Sequence, residues 1–342
     1  MLAGIKSQGT DFYQPGASGE AAEIGDEALY AGLRPYLEWL QRRSSKLPLA
    51  PLDPSGRDSE LIGLNDVFIA LDIDKLGQTK LSDGGDAVFS AATGHLHEQK
   101  QLVLLGDPGS GKSTLLRYLS LCLCNALLEP EGEWLGQLHW TVREQQEEGR
   151  DAFRTPGDKE KVEQRQWQAS GLVPVLIQLR DFARQGFAAE DGNVIWQYLS
   201  GHLTREGQGE TIAALEKLAS QNRLFFMFDG VDEVPPEERK RVWGAIGAFQ
   251  NSPYGGNRWA ATCRILSFVE KELPRRHLPV ATLQKLDQEQ IDRFIENWYR
   301  ALQGKEEMTA VDAANKIARL QDASRGYLHE LAQNPMLLTI MA

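Results

Sequence analysis

Apolar residues recur along this chain in two rhythms. Short unbroken runs stand at Leu102-Val103-Leu104-Leu105, Leu172-Val173-Pro174-Val175-Leu176-Ile177-Gln178-Leu179, Leu224-Phe225-Phe226-Met227-Phe228, Trp259-Ala260-Ala261-Thr262 and Val280-Ala281-Thr282-Leu283. Runs without polar alternation suit parallel strands buried on both faces. Between them, apolar positions fall every third or fourth residue after Thr114 and near 193–203, 211–220 and 237–250, which predicts helices. Strands alternating with helices predict an α/β fold with a parallel sheet covered on both sides. From Asp287 onward the pattern is helical to the end.

Ahead of the first run, Leu29, Leu33, Tyr36, Leu37 and Leu40 predict one helix that stops near the prolines of Leu47-Pro48-Leu49-Ala50-Pro51. Val67-Phe68-Ile69-Ala70-Leu71 reads as a further strand, and residues 74–86 read as a loop with its tip at Gly84-Gly85. Residues 1 to about 26, rich in Gly, Ala, Ser, Gln and Glu, read as loosely ordered. Residues 129–170 are dominated by Glu, Gln and Arg, with Trp134, Trp140 and Trp167 interspersed. They read as a partly helical surface insertion anchored by its tryptophans.

The sharpest chemical signal lies between the first strand and its helix. Gly106-Asp107-Pro108-Gly109-Ser110-Gly111-Lys112-Ser113 is a complete G-x-x-x-x-G-K-[ST] phosphate-binding loop. A strand that turns sharply into a helix aims backbone N–H groups and the positive helix end at one point, and a triphosphate satisfies them. Gly106, Gly109 and Gly111 let the backbone approach closely. Lys112 can reach the β- and γ-phosphates, and the Ser113 hydroxyl can ligate Mg²⁺.

A second signal ends the third run, at Asp229-Gly230-Val231-Asp232-Glu233. A buried parallel strand delivers its last carboxylate to the sheet edge where a phosphate loop also sits. There Asp229 can hold Mg²⁺, an ion that favours one or two carboxylates plus phosphate oxygens. Asp232 and Glu233, a turn further on, are placed to polarise a water for attack on the γ-phosphate. Arg264 closes the next run and would stabilise or sense phosphate charge if that strand lies between the other two.

Composition narrows the setting. The chain has 342 residues, 42% hydrophobic and 25% charged, enough for about two soluble globular domains. A formal net charge of −11 gives no support for nucleic-acid binding. The three cysteines, Cys122, Cys124 and Cys263, lack metal-type spacing with histidine and suit a reducing interior. No stretch approaches the roughly 20 apolar residues of a membrane span, and the first residues lack a secretory apolar core. The reading is a cytoplasmic protein.

Together these residues resemble the NACHT branch of the STAND NTPases, the signal-transduction ATPases with numerous domains that include the NOD-like receptors and many bacterial sensors. The resemblance covers about residues 60 to 342. It is carried by Gly106 through Thr114, by the displaced acidic pair of Asp229-Gly230-Val231-Asp232-Glu233, and by Thr262-Cys263-Arg264. Leu283-Gln284-Lys285-Leu286-Asp287 with Phe294 is similar to the family's approach to its helical lid, and Asn334-Pro335-Met336-Leu337-Leu338 to the lid motif whose proline packs on adenine.

The resemblance implies a P-loop NTPase sheet in the order 5-1-4-3-2 and a parsing into a partly disordered N-terminal segment (1–60), a linker and leading strand (61–99), a nucleotide-binding domain (100–284) and a helical lid (285–342). It implies ATP and ADP as ligands with Mg²⁺, and Pro335 as the adenine contact. The implied activity is slow ATP hydrolysis that drives a switch from an ADP-closed monomer to an ATP-open homo-oligomer. In bacteria such proteins often act in signalling or phage defence. Family members continue through a winged-helix region and a long sensor domain that meets a protein partner or ligand. This chain ends at Ala342, which implies a fragment or a shortened lid.

Two other functions stand beside this one. A nucleotide-binding scaffold with little hydrolysis would keep the same loop. A motor or transporter ATPase is suggested by Leu81-Ser82-Asp83-Gly84-Gly85, but that segment lacks the transporter signature's glutamine and precedes the phosphate loop. A regulatory GTPase would need an Asn-Lys-x-Asp reader, and Asn315-Lys316 is followed by Ile317-Ala318.

Overall fold

The computed structural model describes residues 23–47, 62–75, 90–143, 162–168, 171–186, 191–274, 278–305 and 307–342. The strands among them are β1 (Asp72–Lys75), β2 (Ser90–Ala91), β3 (Gln101–Gly106), β4 (His139–Arg143), β5 (Val162–Gln166), β6 (Val173–Gln178), β7 (Leu224–Asp229), β8 (Arg258–Arg264) and β9 (Val280–Leu283). Seven of them form one sheet in the order β2-β1-β9-β3-β8-β7-β6. Strands β9, β3, β8, β7 and β6 run parallel to one another. Numbered among themselves in chain order, these five lie 5-1-4-3-2. Strands β1 and β2 extend the sheet beyond β9 in antiparallel pairing.

Strand residues alternate between two cores, one on each face of the sheet. Val103, Leu105, Phe226, Phe228, Trp259 and Ala261 belong to one. Leu102, Leu104, Phe225, Met227 and Ala260 belong to the other. Every residue of β7 is buried, which is why its sequence shows no polar alternation. The first core is closed by helices Glu23–Ser44, Val194–Arg205, Ile212–Ser220 and Pro236–Gln250. Helix Lys112–Leu128 and the C-terminal helices close the second.

The N-terminal helix is thus built into the sheet's own core. Leu33, Tyr36, Leu37 and Leu40 are buried there, the Tyr36 hydroxyl donates to the Pro174 carbonyl at 2.8 Å, and Gln41 Nε2 donates to Asn125 Oδ1 at 2.6 Å.

Two expected elements take other forms. The strand anticipated over residues 67–71 is instead a helical turn, Leu64–Val67, followed by irregular backbone, and the strand starts only at Asp72. The Asp66 carboxylate accepts the Gly63 N–H at 2.9 Å, which favours the turn. Among its described residues, the polar stretch after helix Lys112–Leu128 holds a 3₁₀ turn and the antiparallel pair β4–β5 rather than α-helix. Trp140 and Trp167 are buried as anticipated. Trp167 Nε1 donates to the Thr93 carbonyl at 3.0 Å, whereas Trp134 is only half-buried. The glycine-rich lead, the prolines after Leu47, the Gly84-Gly85 tip and residues 144–161 lie outside the described residues.

Helices Gln288–Gly304, Ala310–Arg325, His329–Ala332 and Pro335–Met341 complete the chain. Asp287 opens the first with a capping box: Gln290 N donates to Asp287 Oδ1 at 2.7 Å and Asp287 N to Gln290 Oε1 at 2.9 Å. Gln290 Nε2 also reaches the Ala70 carbonyl at 2.9 Å and Asp72 Oδ2 at 3.0 Å. That contact ties the helical region to the irregular segment before β1. Among the described residues no helix is long and apolar enough to cross a membrane.

Candidate functional site

The parallel register brings the strand ends to one edge. Gly106 stands opposite Arg264 and Gln178 opposite Asp229, so every candidate residue on a strand end meets the loop that leaves β3. That loop turns into helix Lys112–Leu128 through Gly109 (φ 76°) and Gly111 (φ 91°), left-handed conformations in which a β-carbon is strained. A β-carbon on Gly109 would also come within 2.7 Å of Asn334 Oδ1 and 2.9 Å of Met336 Cβ.

Lys112 Nζ lies over the loop, donating to the Gly106 carbonyl at 2.8 Å, the Asp107 carbonyl at 2.9 Å and Ser110 Oγ at 3.4 Å. Burial depresses its pKa most, Arg264 adds to that, and Asp232 and Asp229 oppose it.

Ser113 Oγ donates to Asp229 Oδ1 at 2.9 Å. The phosphate loop and the aspartate-tipped strand therefore converge. Asp229 is only 4% exposed and three side chains hold it: Ser113, Thr262 Oγ1 at 2.7 Å on Oδ1, and Gln178 Nε2 at 3.1 Å on Oδ2. Thr262 Oγ1 in turn accepts the Gly230 N–H at 2.8 Å, which fastens the end of β7 to β8.

Beyond Asp229 the 3₁₀ turn Val231–Glu233 presents the two acids differently. Asp232 Oδ2 pairs with Arg264 Nε at 2.7 Å and Oδ1 accepts the Arg264 N–H at 3.0 Å. Glu233 lies 3.7 Å from Arg180 Nη1, and its pKa is raised by burial, then by Asp229 and Asp232, against the pull of Arg180 and Arg264. Strand β8 does lie between β3 and β7, the condition for Arg264 to face the loop.

A cavity of about 280 Å³ joins these groups, lined by residues Pro108 to Thr114, Gly230, Asp232, Glu233, Thr262 and Arg264. The apolar part of its lining is made by Leu64, Phe68, Ile69, Leu71 and Phe294. The Phe68 ring is stacked on Tyr118 of the phosphate-loop helix, centroids 3.6 Å apart. The run expected to be a strand thus serves as cavity wall.

Pro335, Met336 and Thr339 of the C-terminal helix Pro335–Met341 also line the cavity. Asn334 caps their helix, accepting from Met336 N at 3.1 Å and Leu337 N at 3.2 Å. Its amide also donates to the Pro108 carbonyl at 2.9 Å, and Met336 N reaches the Gly109 carbonyl at 3.2 Å.

All the residues singled out from the sequence, Gly106 to Thr114, Asp229, Asp232, Glu233, Arg264 and Pro335, fall in this one region. Sequence reasoning did not assign site roles to Gln178, Arg180, Thr262 and Asn334. Gln178 ends the strand beside β7 and Arg180 lies in the helix that follows it, Leu179–Ala183, so a known strand order would have pointed to them. Among the described residues no group of three or more His, Cys, Asp or Glu side chains is placed to hold a metal ion. The three cysteines are free and buried. Neither protein-family models nor curated proteins yield a match to the chain.

Proposed function

We propose that this chain is a P-loop ATPase that binds ATP or ADP with Mg²⁺ in the cavity at the sheet edge and hydrolyses ATP slowly, as a NACHT-type signalling switch. The observation that carries the nucleotide site is the 2.9 Å bond from Ser113 Oγ to Asp229 Oδ1 beside the loop's glycines. Hard oxygen donors from a hydroxyl and a carboxylate, side by side, fit Mg²⁺. With no all-protein metal cluster among the described residues, the ion would be held by Ser113 and Asp229 together with phosphate oxygens. When bound, it supplies charge neutralisation across the phosphates.

The chain's own residues then take distinct roles. Loop N–H groups and the helix N-terminus cradle the phosphates. Lys112 exchanges its carbonyl partners for phosphate oxygens, each charged hydrogen bond contributing about 1.5–3 kcal/mol. The acidic turn after Asp229 supplies the carboxylate that polarises the attacking water, and Arg264 balances developing charge. The apolar part of the cavity's lining accepts the base, with Pro335 packed against it. The lid touches the loop that holds the phosphates, so nucleotide state bears on lid position; ADP-closed and ATP-open forms, with oligomerisation in the open form, follow as the switch.

The test is to release and identify the nucleotide that accompanies the purified protein and to measure turnover of added Mg-ATP. Bound adenine nucleotide with slow turnover supports the switch. Adenine nucleotide without turnover supports a binding scaffold, and failure to bind any nucleotide refutes the site.

A further inference from the structure

Asp232 and Glu233 are adjacent in sequence, and their surroundings separate them. The Asp232 side chain is 6% exposed and gives both carboxylate oxygens to one residue, Oδ2 to Arg264 Nε at 2.7 Å and Oδ1 to the Arg264 N–H at 3.0 Å. Its own turn is braced by Arg239, whose Nη2 donates to the Asp232 carbonyl and Nε to the Val234 carbonyl, both at 3.0 Å. The Glu233 side chain is 39% exposed, lines the cavity and has Arg180 at 3.7 Å as its ionic neighbour.

We propose that the acidic pair divides the work: Asp232 is a positioning residue that aims Arg264 into the cavity, and Glu233 alone polarises the attacking water. The proposal rests on the reading of the cavity as an ATP site and assigns roles within it. A carboxylate engaged through both oxygens by a guanidinium edge and a backbone N–H has poor access to a water proton. It does hold its partner in place: the Arg264 N–H bond at 3.0 Å anchors the carboxylate beside the Arg264 backbone, and the ion pair at 2.7 Å keeps the Nε edge against it. Arg264 spends its Nε edge on Asp232, and among the described residues its terminal amino groups form no hydrogen bond, so they remain for phosphate oxygens.

Glu233 meets the opposite requirements. Its neighbours are Asp229 at the end of β7, Asp232 on its own turn, Arg180 on helix Leu179–Ala183 and Arg264 at the end of β8. Burial and the two aspartates outweigh the arginines and raise its proton affinity, which favours a general base.

The experiment is a double-mutant cycle on Mg-ATP turnover with Asp232→Ala, Arg264→Ala and the double variant, beside Glu233→Gln and Asp232→Asn. If Asp232 acts through Arg264, the two alanine variants slow turnover by factors within about threefold of each other, and the double variant is no slower than the slower single. Glu233→Gln slows turnover by about 100-fold or more while ATP affinity and melting temperature hold. Asp232→Asn, which retains the acceptor for the Arg264 N–H, recovers part of the rate.

The pH profile provides a readout that misfolding would not mimic. The rate falls as pH drops through the Glu233 pKa in wild type. Asp232→Asn keeps that limb and moves it to lower pH, because a charge that raised the pKa is gone. Glu233→Gln lacks the limb. Multiplicative defects of Asp232→Ala and Arg264→Ala, loss of the acid limb in Asp232→Asn, or wild-type turnover by Glu233→Gln would each overturn the division. Wild-type protein that fails to bind Mg-ATP overturns the ATP-site reading itself, and the roles with it.

Discussion

The sheet-edge wall of the cavity and the lid wall facing it are held by very different amounts of structure. On the sheet edge, Asp229 is gripped by Ser113, Thr262 and Gln178, Asp232 is locked to Arg264, and the strands beneath are buried on both faces. On the lid side, helix Pro335–Met341 meets the loop through the Asn334 amide and the Met336 N–H, each on one loop carbonyl. Its Met336, Leu337 and Ile340 are about half exposed. Under the proposed function, the groups that act on phosphate all sit on the rigid sheet-edge wall, as electrostatic preorganisation would require. Helix Pro335–Met341 buries Leu338 in the core it shares with the sheet, while its link to the loop itself is the pair of polar contacts from Asn334 and Met336. Under that same function, the first wall would recognise nucleotide and the second would respond to it through Asn334 and Met336.

Changes on the two walls should therefore differ in kind and size. The largest effect belongs to Lys112→Ala. Losing two or more charged hydrogen bonds at about 1.5–3 kcal/mol each weakens ATP binding by at least about 100-fold, to be read by equilibrium titration. If affinity is unchanged, the rigid wall is not a phosphate site.

Gly109→Ala strikes the junction of both walls. A β-carbon there collides with Asn334 and Met336 at a φ of 76°, so proteolysis within the lid should accelerate several-fold. The left-handed backbone costs about 1–2 kcal/mol as well. Unaltered lid proteolysis would show that the lid does not rest on the loop.

Asn334→Ala removes a helix cap and one loop bond, a loss of about 0.5–2 kcal/mol. It should loosen the lid as Gly109→Ala does while leaving the melting of the sheet domain almost in place. A full loss of cooperative folding would mean that the lid wall is not separable. The smallest effect concerns Pro335. Packing against the base predicts tighter binding of ATP than of GTP, and Pro335→Ala should narrow that preference by a few-fold. Equal affinities in wild type would remove the base from that part of the cavity.

Much of this architecture could be read from residue pattern because the physics that builds it is local or periodic. Strands covered on both faces appear as unbroken apolar runs, and a phosphate loop requires glycines and a lysine at fixed spacing. Phe68-Ile69-Ala70-Leu71 misled because an apolar run can wall a cavity as well as fill a strand, and the bond from Gly63 to Asp66 favours the turn before it. The β4–β5 pair hid in a polar segment whose buried tryptophans are far apart in sequence. Gln178 and Thr262 act on Asp229 of the strand beside them, and Arg180, one turn past β6, meets Glu233 one turn past β7. These pairings become visible only once the strand order is known. The division between Asp232 and Glu233 depends on a two-point contact with Arg264 that no spacing rule encodes.

The central claim is that the glycine loop and Asp229 serve one Mg-nucleotide complex, and its most direct test is ATP titration with and without Mg²⁺ on wild type and Asp229→Asn. The account predicts that Mg²⁺ strengthens ATP binding in wild type by about tenfold or more, one charge-assisted contact at about 1.5–3 kcal/mol, and that Asp229→Asn loses most of this gain while keeping metal-free affinity. An equal Mg²⁺ response in both proteins would contradict it.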